Sequence, residues 1–138
     1  MRIFLDANIL VSVLNKEYPL FTYTARIVSL ADQKKFTVYT SPVCLAIAFY
    51  FAEKKSGTHM AKQKIKLLSE KIIIASVGKN VVLQALENKK VNDFEDGLEY
   101  YPAVNNNCEV IVTEDDSDFY FSAINICGAK DFLAEYLF

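Results

Sequence analysis

Three groups of carboxylates are the side chains in this sequence best suited to chemistry: Asp6, the set Asp93, Glu95 and Asp96, and the set Asp115, Asp116 and Asp118. If one sheet edge gathers them, several carboxylates share a pocket in a chain whose formal net charge is only -2. Like charges a few ångströms apart are costly to ionise together unless a cation neutralises them. Oxygen donors of this kind favour hard divalent ions, Mg²⁺ or Mn²⁺. Such an ion activates water and offsets the charge developing on a phosphoryl group, so the chemistry implied is phosphodiester hydrolysis. Each group also has a plainer reading. Asp6 and Asp93 are good helix N-caps, Asp96 suits the first turn of a helix by its interaction with the dipole, and Glu114 to Asp118 has the composition of a solvated turn.

The elements that must position these acids alternate along the chain. Ile3 to Leu5 reads as a buried strand and Ile9, Leu10, Val13 and Leu14 as the helix after it, which leaves Asp6 at a strand-to-helix junction. Pro19 suits the first turn of a second helix running through Ala25, Ile27, Val28, Leu30 and Ala31. Phe36–Thr40 is the second strand, and Ser41 with Pro42 caps a helix over Val43 to Lys55 that is apolar nearly all round and expected to be buried. A turn at Ser56–Thr58 leads to an amphipathic, lysine-rich helix ending at Glu70. Lys71–Val77 reads as a third strand covered on both faces. A short helix over Asn80–Glu87, a loop over Asn88–Asn92 and a helix over Asp93–Asn106, bent at Pro102, precede a fourth strand at Cys108–Thr113. The acidic loop follows, then an edge strand within Ala123–Cys127 and a closing helix over Lys130–Phe138.

Strands alternating with helices predict an α/β fold: a three-layer α/β/α sandwich around a mostly parallel sheet of four or five strands, in a single domain over residues 1–138. In such sheets ligands bind outside the carboxyl ends of the strands, where Asp6 and Asp115 fall.

Composition sets bounds on function. Hydrophobic residues make up 52% and charged residues 23%, which suits a packed domain. The longest mostly apolar run, Pro42 to Ala52, is too short to cross a bilayer, and Asp6 interrupts the apolar start that a signal peptide needs, so a cytoplasmic protein without membrane association is expected. Cys44, Cys108 and Cys127 form no C-x-x-C pair and read as buried reduced thiols. The single histidine, His59, lies in a polar turn, and no Gly-x-Ser-x-Gly elbow is present, which argues against zinc-site and serine-nucleophile chemistry. Lysines at 34–35, 54–55, 62, 64, 66 and 89–90 read as solvated helix faces that could also meet phosphates. Tyr100, Tyr101, Phe119, Tyr120 and Phe121 could stack bases, although packing is the commoner role of such residues.

Three segments, Ile3-Phe-Leu-Asp-Ala-Asn-Ile-Leu10, Asp93-Phe-Glu-Asp-Gly-Leu-Glu-Tyr100 and Val110-Ile-Val-Thr-Glu-Asp-Asp-Ser-Asp-Phe119, come in the order and spacing of the PIN domain. The chain resembles most the small stand-alone PIN proteins of the VapC toxin type, over nearly its whole length. The resemblance implies a Mg²⁺- or Mn²⁺-dependent endoribonuclease, the toxin of a toxin–antitoxin pair, with RNA as substrate and a bound antitoxin as partner. Carried over by position, Asp6, Asp96 and Asp115 match the metal-binding acids. Asp93 and Asp118 match acidic positions that flank these, one or the other expected to orient a ligand or water, and Asn8 matches a polar residue that supports the first aspartate.

One departure bears on activity. Family members usually carry a glutamate in a pattern resembling Ser-Pro-x-x-Leu-Ala-Glu, and here the segment is Ser41-Pro-Val-Cys-Leu-Ala-Ile47. Glu53 is a poor substitute, because six residues along a helix place it about 120° around and about 9 Å away. Two functional readings therefore stand: a working nuclease, and a catalytically weakened or inactive module that binds RNA or a protein partner. A third, in which every acid is a cap, predicts no specific Mn²⁺ affinity. A homodimer is also expected, from the resemblance and from the large apolar residues after Pro42 and in Phe132–Phe138.

Overall fold

The computed structural model describes residues 1–137. Its centre is β1 (Arg2–Leu5), whose Ile3, Phe4 and Leu5 are fully buried. On one side β1 pairs with β2 (Thr37–Thr40), which pairs with β3 (Ile73–Ile74); on the other it pairs with β4 (Val110–Val112), which pairs with β5 (Asn125–Cys127). The order is β3-β2-β1-β4-β5 and every pairing is parallel. Ile3, Phe4 and Leu5 stand opposite Val110, Ile111 and Val112, and the ladder continues one step further as the Asp6 N–H donates to the Val112 carbonyl at 3.1 Å.

Seven α-helices among the described residues flank this sheet. They are α1 (Ala7–Asn15), α2 (Phe21–Ser29), α3 (Pro42–Ser56), α4 (Thr58–Lys71), α5 (Lys79–Glu87), α6 (Phe94–Asn105) and α7 (Ala129–Tyr136). The chain moves outward from β1 to β3, then crosses back over β2 and β1 to reach β4. With right-handed crossovers this reversal places α1–α4 on one face and α5 and α6 on the other, which gives the expected α/β/α sandwich. The reversal also opens a crevice outside the carboxyl ends of β1 and β4. Gly97 lets α6 approach α5 closely, since a Cβ there would lie 2.6 Å from the Ala85 Cβ.

Several elements differ from the sequence-based expectation. The apolar run after Lys71 forms only a two-residue edge strand, and Ile73 and Ile74 are 49% and 40% exposed, because among the described residues nothing pairs with the outer side of β3. Helix α3 is not buried all round: it buries a stripe of small residues, Cys44, Ala48 and Ala52, and leaves Tyr50 and Phe51 exposed. The terminal apolar residues divide, with Phe132 and Leu133 buried in the core and Phe138 outside the described residues. Helix α2 begins at Phe21, two residues after Pro19, and α6 continues through Pro102 to Asn105.

Candidate cation-binding site

The crevice at the β1–β4 reversal contains a pocket of about 410 Å³. Its lining carries the carboxylates of Asp6, Glu17, Glu95, Asp96, Glu99, Glu114, Asp115 and Asp118, and no lysine or arginine. The one ion pair among the described residues, Lys71 with Asp32, lies outside it. Four of the five acids expected to do chemistry therefore line one pocket. The fifth, Asp93, does not line it: it caps α6, its Oδ1 accepting the Glu95 N–H at 3.0 Å.

Asp6 is both a helix cap and the anchor of the pocket. It is buried, with Oδ1 accepting the Ala7 N–H at 2.6 Å, while the Cys44 thiol stands 3.9 Å from the same oxygen as a donor. Oδ2 accepts the Thr113 hydroxyl at 2.7 Å and a longer contact from Asn8 Nδ2 at 3.5 Å. Thr113 Oγ1 in turn accepts from Asn8 Nδ2 at 3.1 Å and from the Asp115 N–H at 3.0 Å, and Asn8 Oδ1 accepts the Glu114 N–H at 3.2 Å. The end of β1, the start of α1 and the turn after β4 are thus tied together by one polar network. Asn8 supports Asp6 in the way its sequence position implies.

Asp115 opens a 3-10 turn over Asp116–Phe119 that brings Asp118 back beside it, so the segment that reads as an acidic loop is folded. The Glu114 carboxylate turns toward α7, accepting the Ala129 N–H at 2.8 Å. Gly128 admits it there, because a Cβ at that position would lie 2.8 Å from Glu114 Oε2. Glu114 therefore acts as a cap at the pocket's rim.

The crowding of like charges is visible in proton affinities. Partial burial, and then the carboxylates of Asp118, Asp93 and Asp6, push Asp96 up to about 7. Desolvation first, then Asp115, raises Asp118. Glu99, which the sequence reading did not single out, is pushed up to about 10 by burial and then by Asp6. It is only 5% exposed. Carboxyl oxygens of Glu99 and Asp6 and the Cys44 sulfur all lie within 4.8 Å of one another. The signal that could have found Glu99 was its spacing, three residues after Asp96 and so on the same face of α6. Thr113 was also missed, and its place beside Asp6 follows only from the pairing of β1 with β4.

This donor set fits a hard divalent cation: carboxylate oxygens from three separate elements converge, and no basic side chain offsets them. Ile47, Val11, Leu20 and Phe51 form an apolar wall of the same pocket. The aromatic residues named above mostly pack. Tyr100 and Phe119 are buried, with Tyr100 edge-on to Phe121 at 5.0 Å, whereas Tyr120 is exposed and its hydroxyl joins the Lys90 carbonyl and the Asn92 N–H.

Comparisons with known proteins show the family and agree with the fold. Residues 2–117 match the model of a family described as PIN domain. The chain is 25% identical to the ribonuclease VapC1 of Aquifex aeolicus (strain VF5), over 95% of this chain and 92% of that protein. Among solved structures it is similar to VapBC-1 of nontypeable Haemophilus influenzae, with a TM-score of 0.72, 18% identity, and 94% and 99% of the two chains covered. It is also similar to VapBC2 of Rickettsia felis bound to a DNA fragment from their promoter, with a TM-score of 0.69, 20% identity, and 92% and 97% covered.

Proposed function

The chain belongs to the PIN domain family, and from that premise we propose that it is a Mg²⁺- or Mn²⁺-dependent endoribonuclease, the toxin of a toxin–antitoxin pair. The observation that carries the cation dependence is the pocket at the β1–β4 reversal, lined by carboxylates with no lysine or arginine among them. An RNA phosphate entering such a pocket meets only negative charge unless a cation is bound. RNA as substrate and an antitoxin as partner are supported by the ribonuclease VapC1 and the VapBC assemblies among the chain's relatives.

Asp6, Asp96 and Asp115 hold the cation in this reading. When bound, it lowers the pKa of water and offsets charge developing on the phosphate. The chain's own groups do the rest. Thr113 and Asn8 fix the Asp6 carboxylate, and the N-terminal dipole of α6 favours the Asp96 carboxylate in its first turn. Asp118, beside Asp115, orients the attacking water, and Asp93 holds the start of α6 so that Asp96 keeps its position. The water oxygen bonds to phosphorus as one ester P–O bond breaks, one proton of the water ending on the leaving alkoxide and the other passing to solvent, without a covalent enzyme intermediate. The exposed Tyr50 and Phe51 on α3 provide the contact surface of a homodimer.

A second reading rests on Ile47, which lines the pocket as an apolar residue. In it the fold keeps its RNA or protein partner and has lost cleavage. Incubating the protein with a pool of structured and single-stranded RNAs and Mn²⁺ separates the two, using wild type, Asp96→Asn and Ile47→Glu. Cleavage by wild type that falls by about 100-fold or more in Asp96→Asn is the expected result. Cleavage by Ile47→Glu alone would give the second reading first place.

A further inference from the structure

Helix α6 presents three acids to the pocket, Glu95 and Asp96 at its start and Glu99 one turn further in. Their surroundings differ. Asp96 is half-buried at the pocket's mouth, whereas Glu99 is buried to within 5% of complete exclusion from solvent. A carboxyl group so deeply buried ordinarily meets hydrogen-bond donors. Glu99 instead meets another acid, the Asp6 carboxyl, and no N–H or hydroxyl among the described residues donates to it. The donors near Asp6, from Ala7, Thr113 and Asn8, are aimed at Asp6 itself. The Cys44 thiol likewise points to Asp6 Oδ1. Glu99 therefore has the Asp6 carboxyl as its hydrogen-bond partner inside the carboxylate cluster, an arrangement that requires a shared proton or a bound cation, and Ile47 lines the same pocket.

We propose that Glu99 is a direct ligand of the divalent cation, sharing it with Asp6 and Asp96, so that an acid from the second turn of α6 supplies the oxygen that the apolar side chain at position 47 does not. This inference rests on the cation-dependent reading above and adds a residue to it. Oxygen from Glu99 suits Mg²⁺ or Mn²⁺ better than the thiol of Cys44, which stays a donor to Asp6.

The test is Mn²⁺ binding by titration calorimetry with no RNA present, on wild type, Glu99→Gln and Asp96→Asn, with the fold of each checked by circular dichroism. Glutamine keeps the shape of Glu99 and removes its charge. The expected result is stoichiometric binding by wild type and at least a tenfold loss of affinity in both variants. Wild-type affinity in Glu99→Gln alongside a loss in Asp96→Asn would overturn the inference and leave the cation-dependent reading standing. No binding by wild type would overturn both. If Glu99→Gln does not fold, Glu99→Asp replaces it: the shortened carboxylate should bind Mn²⁺ at least threefold more weakly, and unchanged affinity would overturn the inference.

Discussion

Thr113 Oγ1 donates to Asp6 Oδ2 across 2.7 Å, joining two residues 107 positions apart in the chain. The same hydroxyl oxygen accepts from Asn8 and from the Asp115 backbone, so one side chain sets the spacing between the acid that ends β1 and the acid that follows β4. Replacing Thr113 with Val keeps the shape and removes the bridge, leaving a buried carboxylate oxygen with only the long Asn8 contact. Thr113→Val should lower unfolding free energy by about 1–3 kcal/mol in urea titrations. It should also weaken Mn²⁺ binding, since the Asp6–Asp115 spacing is no longer held.

The acids of the pocket give the cation-free protein a pH dependence of definite sign. Asp96 is raised from its ordinary 3.8 to about 7, and Glu99 from 4.5 to about 10. Raised carboxyl values mean that the folded chain binds more protons than the unfolded one between those limits. The stability they contribute is present below about pH 4 and is lost as pH rises through about 7 and onward to 10. In EDTA the thermal midpoint should fall between pH 5 and pH 8, less steeply in Glu99→Gln, and saturating Mn²⁺ at pH 8 should restore it. A midpoint in EDTA that rises over this range, in both proteins alike, would contradict the crowding of charge.

Gly97 controls where α6 lies. An alanine there would place its Cβ 2.6 Å from the Ala85 Cβ and 3.3 Å from Val91 Cγ1, so α6 must shift away from α5. Gly97→Ala should destabilise the fold by about 1–3 kcal/mol. Because Asp96 and Glu99 flank this contact, Mn²⁺ affinity should fall with stability, whereas Gly78→Ala, where the nearest atom is 3.7 Å away, should leave both unchanged. Urea unfolding and calorimetry on the two variants check this.

The exposed face of α3 predicts self-association. Tyr50 and Phe51 are 52% and 45% exposed beside the buried stripe of the same helix. Light scattering at micromolar concentration should give the mass of a dimer, and Tyr50→Glu should shift it toward the monomer. A monomeric wild type would remove this assignment.

Local pattern determined much of this protein. The alternation of apolar runs with helical periodicity, the caps at Asp6, Ser41 and Asp93, and the acids placed after β1, at the start of α6 and after β4 are all readable from neighbouring residues, because helix period, capping and strand alternation are short-range effects. The same short range explains what was not readable. The runs at Ile72–Ile74 and Val43–Phe51 are apolar wherever they end up, and only sheet order and helix packing left β3 at an edge and half of α3 uncovered. Glu99 has the sequence signature of an ordinary helix acid. Its burial against Asp6, and the bridge from Thr113, exist because the chain reverses direction across the sheet and sets β4 beside β1, a pairing of residues more than a hundred positions apart that no local pattern encodes.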